Sequence, residues 1–288
     1  MTHRGPLPDL MVEPIVRAAL LEDLGRGGDL TTDLLIPEDH AARAALVARQ
    51  AGTVAGIGVA ALAFRLLDAR VTCHPAVADG TAVDADTEVL RVEGPARAIL
   101  SAERVALNLL GRLSGIATAT AGLVAAVAGT RARVACTRKT TPGLRALEKY
   151  AVRAGGGANH RLGLDDAVLI KDNHVALGGG VTATLARVRA GVGHMTKVQV
   201  EVDTLAQLDA ALTADPDAIL FDNMPPDMLA EGVRRVAGRA VTEASGGITP
   251  TTIGAIAATG VDLISVGWLT HSAASLDVGL DIVDEGGR

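Results

Sequence analysis

Apolar positions along this chain of 288 residues follow two rhythms, and the change between them lies near residue 115. The first rhythm opens with a predicted helix from about Pro14 to Leu24, with Pro14 tolerated in its opening turn and Gly25 ending it. The GRGGDLTTD stretch that follows reads as a loop. Between Arg43 and Gly94 come β-prone runs, AALVARQAGTVAGI, ARVTCHPAV and TEVLRVEG, with an Asp79-Gly80 turn signal between the last two. A helix is expected from Ala96 to about Leu110, and Ser114-Gly115 marks a break before another helical stretch. Residues 1 to about 115 thus read as an α+β domain with a partly open sheet.

The second rhythm is a repeat. Short apolar runs recur at VACT (134–137), AVLI (167–170), VQVEV (198–202), AILF (218–221), AVTEAS (240–245) and LISVG (263–267). Each is followed by a polar or glycine-rich turn and then, usually, by a helix-compatible segment. Their spacing of about 20 to 33 residues matches successive βα units with right-handed crossovers. Six such strands predict a parallel sheet that closes or nearly closes into a barrel. A full eight-stranded barrel needs more than the roughly 160 residues left after the first domain.

Composition narrows the function. Aromatic residues make up 1% of the chain, too few for a base-stacking platform, and the net charge of −6 gives no global attraction to polyanions. No nucleic-acid partner is expected. Two cysteines, Cys73 and Cys136, cannot build a disulfide framework or a four-thiolate zinc site. The apolar stretch from Val105 to Thr130 is interrupted by Asn108, Arg112, Ser114 and glycines, so it reads as a buried helical region and not as a membrane span. The expectation is a cytoplasmic protein.

Candidate chemistry gathers at the carboxyl ends of the predicted strands, where α/β barrels place their active sites. Those ends read Arg138-Lys139, Lys171-Asp172-Asn173-His174, Glu201 with Asp203, Asp222-Asn223, Ser245-Gly246-Gly247 and Gly267. Between Arg131 and Asp172 nine Lys or Arg face four Asp or Glu, an excess of five positive charges in a negative chain. Arg145, Lys149 and Arg153 fit a solvated helix face at helical spacing. Arg138, Lys139 and Lys171 directly follow strands and are expected to point into the rim. His160 and Arg161 add donors on the loop after Gly155–Gly157, although His160 alone reads more readily as a structural hydrogen-bonding histidine. Glu201 and Asp222 suit a Mg²⁺-pyrophosphate anchor or an ion pair with Lys171 or Arg138, and the two roles can coexist. SGGI (245–248) before TPTTIGAIAATG looks like a glycine turn opening onto a helix amino terminus, fit for a phosphate, with VGW (266–268) as a second small turn.

The string TRKTTPGLRALEKYAVRAGGGANHRLGLDDAVLIKDNH, from Thr137 to His174, resembles the signature stretch of quinolinate phosphoribosyltransferases. LEDLGRGGDLTTD, AERVALNLLGRLSGIAT, EVDTLAQL, LFDNM, EASGGI and VGWLTHS extend the resemblance over nearly the whole chain in the expected order. The resemblance implies an open α/β sandwich over residues 1–115, rejoined by the tail at about 275–288, and an incomplete parallel α/β barrel over 116–274. It implies a homodimer or larger homo-oligomer. Arg138, Lys139, His160, Arg161 and Lys171 would line a quinolinate pocket, with Arg104 supplied by the partner subunit. Glu201 and Asp222 would hold the Mg²⁺-bound ribose and pyrophosphate of phosphoribosyl pyrophosphate. Ser245, Gly246, Gly247 and Gly267 would hold its 5′-phosphate, with His271 nearby. Trp268 stands where relatives usually carry a small residue, and it either packs behind the phosphate turn or narrows the pocket. Competing readings are a relative associated with molybdenum uptake, a phosphoribosyltransferase for nicotinate or nicotinamide, and a non-catalytic phosphosugar-binding module. The complete NHR and KDNH strings, the density of carboxylate-binding cations and the joint presence of Lys139, Lys171, Glu201 and Asp222 argue against them in turn.

Overall fold

The first helix, α1 (Asp9–Leu24), buries Val12, Val16 and Leu20 at four-residue spacing and ends at Gly25, whose φ of 54° stops it. It begins ahead of the expected start, so Pro14 lies inside it. The carbonyl that Pro14 leaves without a donor belongs to Leu10, which is exposed. This comes from a computed structural model, which describes residues 5–283. The following stretch is not all loop, because Asp29 accepts the Thr32 amide at 3.0 Å and caps a short helix, α2 (Leu30–Leu35).

Two compact units follow from the packing, one comprising Met1–Ala121, Thr140–Gly156 and Leu269–Arg288, the other Gly122–Lys139 and Gly157–Trp268. In the first unit come β1 (Ala41–Ala48), β2 (Gly52–Thr53), α3 (Ile57–Leu67), β3 (Thr72–Pro75), β4 (Ala82–Val83) and β5 (Glu88–Pro95). Helix α4 (Ala96–Ala126) leads out of the unit. A four-stranded antiparallel sheet has the order β12-β1-β5-β3, in which β12 (Val278–Ile282) is the returning tail. Strands β2 and β4 form a separate antiparallel ladder. The tail beyond residue 283 lies outside the described residues. Helix α4 runs unbroken through Ser114-Gly115, against the expected break. Gly115 is there because a Cβ would strike the carbonyl of Ala274. By length and composition α4 could cross a membrane, and half of its most apolar window is buried in the protein.

The second unit holds all six expected strands. They are β6 (Arg133–Ala135), β7 (Val168–Ile170), β8 (Val198–Val202), β9 (Ala218–Asp222), β10 (Val241–Ser245) and β11 (Leu263–Ser265). Helix α5 (Arg145–Ala154) lies between β6 and β7 in sequence but belongs to the first unit. Helices α6 (Asp172–Gly178), α7 (Val181–Gly191), α8 (Leu205–Leu212), α9 (Pro226–Val236), α10 (Ile253–Ala257) and α11 (Trp268–His271) supply the rest. The six strands pair in parallel in the order β6-β11-β10-β9-β8-β7, the incomplete barrel sheet expected from the repeat. Its edges are β6 and β7, and Ala158 adds a single parallel bridge to Ala135 at the β6 edge.

Candidate active site

Parallel register carries the candidate residues of the second unit to one edge of the sheet. Val200 pairs with Ile170, Leu220 with Glu201, Asp222 with Ser245, and Ser265 with both Ser245 and Ala135. Lys171, Glu201, Asp222, Ser245, Gly267 and Arg138 therefore stand at the carboxyl ends of six strands in spatial order. A recess of 240 Å³ among them is lined by Asp172, Glu201, Asp203 and Asp222 with Gln207. Lys171 Nζ reaches Glu201 Oε2 at 2.5 Å, so the rim ion pair allowed by the sequence is made. His174, the last residue of KDNH, accepts the Lys171 amide on Nδ1 at 2.9 Å and holds the strand end as α6 begins.

The cations differ in surroundings. Lys139 is exposed, its amide donating to Thr137 Oγ1 at 3.0 Å. Arg161 donates through Nη1 to the Ala167 carbonyl at 3.0 Å. Burial, and then the charge of Arg138, hold the Arg161 guanidinium below its ordinary range. The Nε–H groups of both Arg138 and Arg161 are buried and have no hydrogen-bond partner among the described residues. A buried guanidinium donor left unmatched is costly, and two side by side call for an anion. His160 accepts the Arg161 amide on Nδ1 at 2.8 Å and meets Gln199 Oε1 through Nε2 at 2.8 Å. Lys149 departs from its expected solvated place and is 1% exposed, because α5 packs into the first unit, where it also buries Glu148, which binds Arg112 at 2.9 Å and Thr141 Oγ1 at 2.7 Å.

At the glycine turn, Gly246 has φ 96°, and a Cβ there would collide with the side chain of Asn223, which itself donates to Asp222 Oδ2 at 2.7 Å. The turn does not open directly onto a helix as expected. Thr249, Pro250, Thr251 and Thr252 intervene, and α10 starts at Ile253 with only five residues, so any phosphate there meets turn amides and the Ser245 hydroxyl more than a helix dipole. Trp268 donates its indole N–H to the Ile248 carbonyl at 3.0 Å, bracing the turn. Gly267 precedes it. Arg104 and His271 fall in the first unit. Arg104 is exposed on α4 and has no hydrogen bond or ion pair among the described residues, while His271 Nδ1 shares a 2.6 Å hydrogen bond with Ser272.

Gln199, Glu243 and Ser265 escaped the sequence reading. All three are buried, and they form a polar layer in which Gln199 Nε2 and the Ser265 hydroxyl donate to Glu243. Their signal was present as a Gln and a Glu inside apolar strands, each two residues before a rim residue. Among the described residues no group of three or more His, Cys, Asp or Glu is arranged to hold a metal. Mg²⁺, however, is commonly carried by one or two carboxylates together with substrate phosphates.

Comparison with known proteins agrees with this fold. The family model described as quinolinate phosphoribosyl transferase, N-terminal domain, matches residues 29–114, and its C-terminal counterpart matches 116–281. A probable nicotinate-nucleotide pyrophosphorylase [carboxylating] of Bacillus subtilis is 44% identical over 95% of this chain and 94% of its own. The nicotinate-nucleotide pyrophosphorylase [carboxylating] of Mycobacterium leprae is 47% identical over 93% of this chain and 95% of its own. The crystal structure of NadC from Streptococcus pyogenes superposes with a TM-score of 0.93 at 41% identity, covering 97% of this chain and all of that one. Matched along both halves by the models and nearly end to end by these relatives, the chain belongs to the quinolinate phosphoribosyltransferase family.

Proposed function

We propose that the chain transfers the phosphoribosyl group of 5-phosphoribosyl 1-pyrophosphate to quinolinate with decarboxylation, yielding nicotinate mononucleotide, pyrophosphate and CO₂ in de novo NAD biosynthesis. The observation that carries this reading is the pair of buried, unmatched Nε–H groups on Arg138 and Arg161. A dicarboxylate supplies the acceptors they lack, and the planar guanidinium fork suits carboxylates. Lys139, Lys171 and His160 complete the pocket, with Arg104 reaching it from a partner subunit. Glu201 and Asp222 would hold Mg²⁺ together with the ribose and pyrophosphate, and a metal held there would supply charge neutralisation for the departing pyrophosphate. Ser245, Gly246, Gly247 and Gly267 receive the 5′-phosphate.

In the first step the quinolinate ring nitrogen bonds to ribose C1 as the C1–O bond breaks and pyrophosphate leaves with the electron pair. The ring nitrogen becomes cationic. The adjacent C–CO₂ bond then breaks, its pair stays on the ring carbon, and that carbon takes a proton from Lys139, Lys171 or an ordered water. Cations fixed around the ring stabilise the charge that moves in both steps. A homodimer suits the exposed Leu10, Leu21, Leu30, Leu34 and Leu35, a concentration of apolar side chains on α1 and α2. The two cysteines, neither of them in a disulfide, suit a reducing cytoplasm.

The direct test mixes purified protein with Mg²⁺, quinolinate and phosphoribosyl pyrophosphate and measures all three products. Equimolar nicotinate mononucleotide, pyrophosphate and CO₂ are expected, with little turnover when nicotinate replaces quinolinate. Absence of product from quinolinate, or equal efficiency with nicotinate, overturns the assignment.

A further inference from the structure

Below the rim lies a buried polar chain that the transfer chemistry does not use. Gln199 and Glu243 sit two residues before Glu201 and Ser245 on β8 and β10, so each shares a strand face with the rim residue above it, and Ser265 ends β11 two residues before Gly267. Gln199 Nε2 donates to Glu243 Oε2 at 2.7 Å, and the Ser265 hydroxyl donates to Glu243 Oε1. Gln199 Oε1 faces His160 Nε2 at 2.8 Å, and that ring nitrogen lies 3.6 Å from Glu243 Oε2. A carboxylate that is 1% exposed is expensive to keep, which points to a task beyond filling space.

The direction of the chain follows from groups that can only accept or only donate. A carboxylate offers no hydrogen, so Glu243 turns the Gln199 amide with its NH₂ inward and its oxygen toward His160. An oxygen facing Nε2 requires a proton on Nε2. At the other side of the ring the Arg161 amide, a donor, requires a lone pair on Nδ1. Both ends select one neutral tautomer, and the ring so fixed anchors the backbone of Arg161. We propose that Glu243 and Gln199 are positioning residues, which set the tautomer of His160 and through it seat Arg161 for the substrate carboxylate. The identity of that carboxylate rests on the function proposed above; the tautomer does not.

The test is ¹⁵N NMR of histidine-labelled protein at pH 8 without ligand, with His160 assigned by the signal lost in His160→Asn. Wild-type protein is expected to show His160 protonated on Nε2 and bare on Nδ1. Glu243→Gln keeps the shape but removes the accept-only end, so the tautomer preference should weaken. The quinolinate KM should then rise about tenfold, while the phosphoribosyl pyrophosphate KM stays within about twofold. Gln199→Met cuts the chain in similar volume and is expected to act alike, which decides the matter if Glu243→Gln does not fold. A wild-type His160 protonated on Nδ1 overturns the proposal. So do variants with a mixed tautomer and an unchanged quinolinate KM, or with both KM values raised equally. The expected tautomer, weakened in the variants, in a protein that never turns over quinolinate upholds the positioning of His160 and overturns the functional reading instead.

Discussion

Lys139 and Lys171 carry the same charge at the ends of the two edge strands of the sheet, β6 and β7, yet their settings differ. Lys171 is tied to Glu201, while Lys139 is exposed two residues after Thr137, whose hydroxyl receives its amide. If Lys139 lies beside the ring as proposed, removing it takes a cation from the reacting ring, and its exposed position leaves the core untouched. Lys139→Ala is therefore expected to fold normally and lose at least about a hundredfold in kcat/KM, roughly 2.7 kcal/mol of transition-state stabilisation. Retention of more than about a third of wild-type kcat/KM in a well-folded variant removes Lys139 from the chemistry. The carboxylates behave differently. Glu201→Ala and Asp222→Ala should weaken the calorimetric responses to Mg²⁺ and phosphoribosyl pyrophosphate more than quinolinate binding. Because Glu201 also holds Lys171, its variant should disturb quinolinate somewhat more than Asp222→Ala does. Equal weakening of both ligands by Asp222→Ala would give that carboxylate a general structural role.

At the scale of elements, Gly115 is the informative position. Its place inside α4 has no special φ, so its need is spatial, set by the carbonyl of Ala274 in the returning tail. Gly115→Ala is expected to cost about 1–3 kcal/mol through overpacking, read as a lower urea midpoint at unchanged slope. A neutral or stabilising effect, as helix propensity alone would give, would mean that the tail yields easily. The same glycine shows where the sequence misled. A glycine in a helical pattern reads as a break until the second segment pressed against it is known, and that segment lies far along the chain. Helix α3 was hidden for a related reason. Val59, Ala60, Ala61, Leu62, Ala63 and Phe64 are buried in succession, so no polar face marks the helical period and the run resembles a buried strand. The barrel strands were readable because buried parallel strands are short apolar runs ended by turn residues, and the rim followed from those ends. The Gln199–Glu243 layer was not, since pairing among polar side chains on different strands depends on register. Lys149 looked solvated by spacing alone, because nothing local reveals that α5 packs into the first unit.

At the scale of the molecule, the open question is whether one chain makes a complete active site. Arg104 sits on α4 among Leu107, Asn108 and Gly111, beside a 430 Å³ recess shared with residues 275–278 of the returning tail. It is exposed and has no partner among the described residues, so its guanidinium is available to a group outside the subunit as well as to water. Placing it in a partner's quinolinate pocket predicts complementation. Arg104→Ala and Lys139→Ala homodimers should each be nearly inactive, since every site in either lacks one cation. In a mixed dimer, one site combines the intact Lys139 of one subunit with the intact Arg104 of the other, and the second site lacks both. Random reassortment after reversible dissociation makes about half the dimers mixed, so activity should recover to about a quarter of wild-type sites if sites act independently. Mass spectrometry verifies that subunits have exchanged. Exchange without recovered activity would place Arg104 in its own subunit's site or in none, and the exposed leucines of α1 and α2 would then be the remaining support for an assembly.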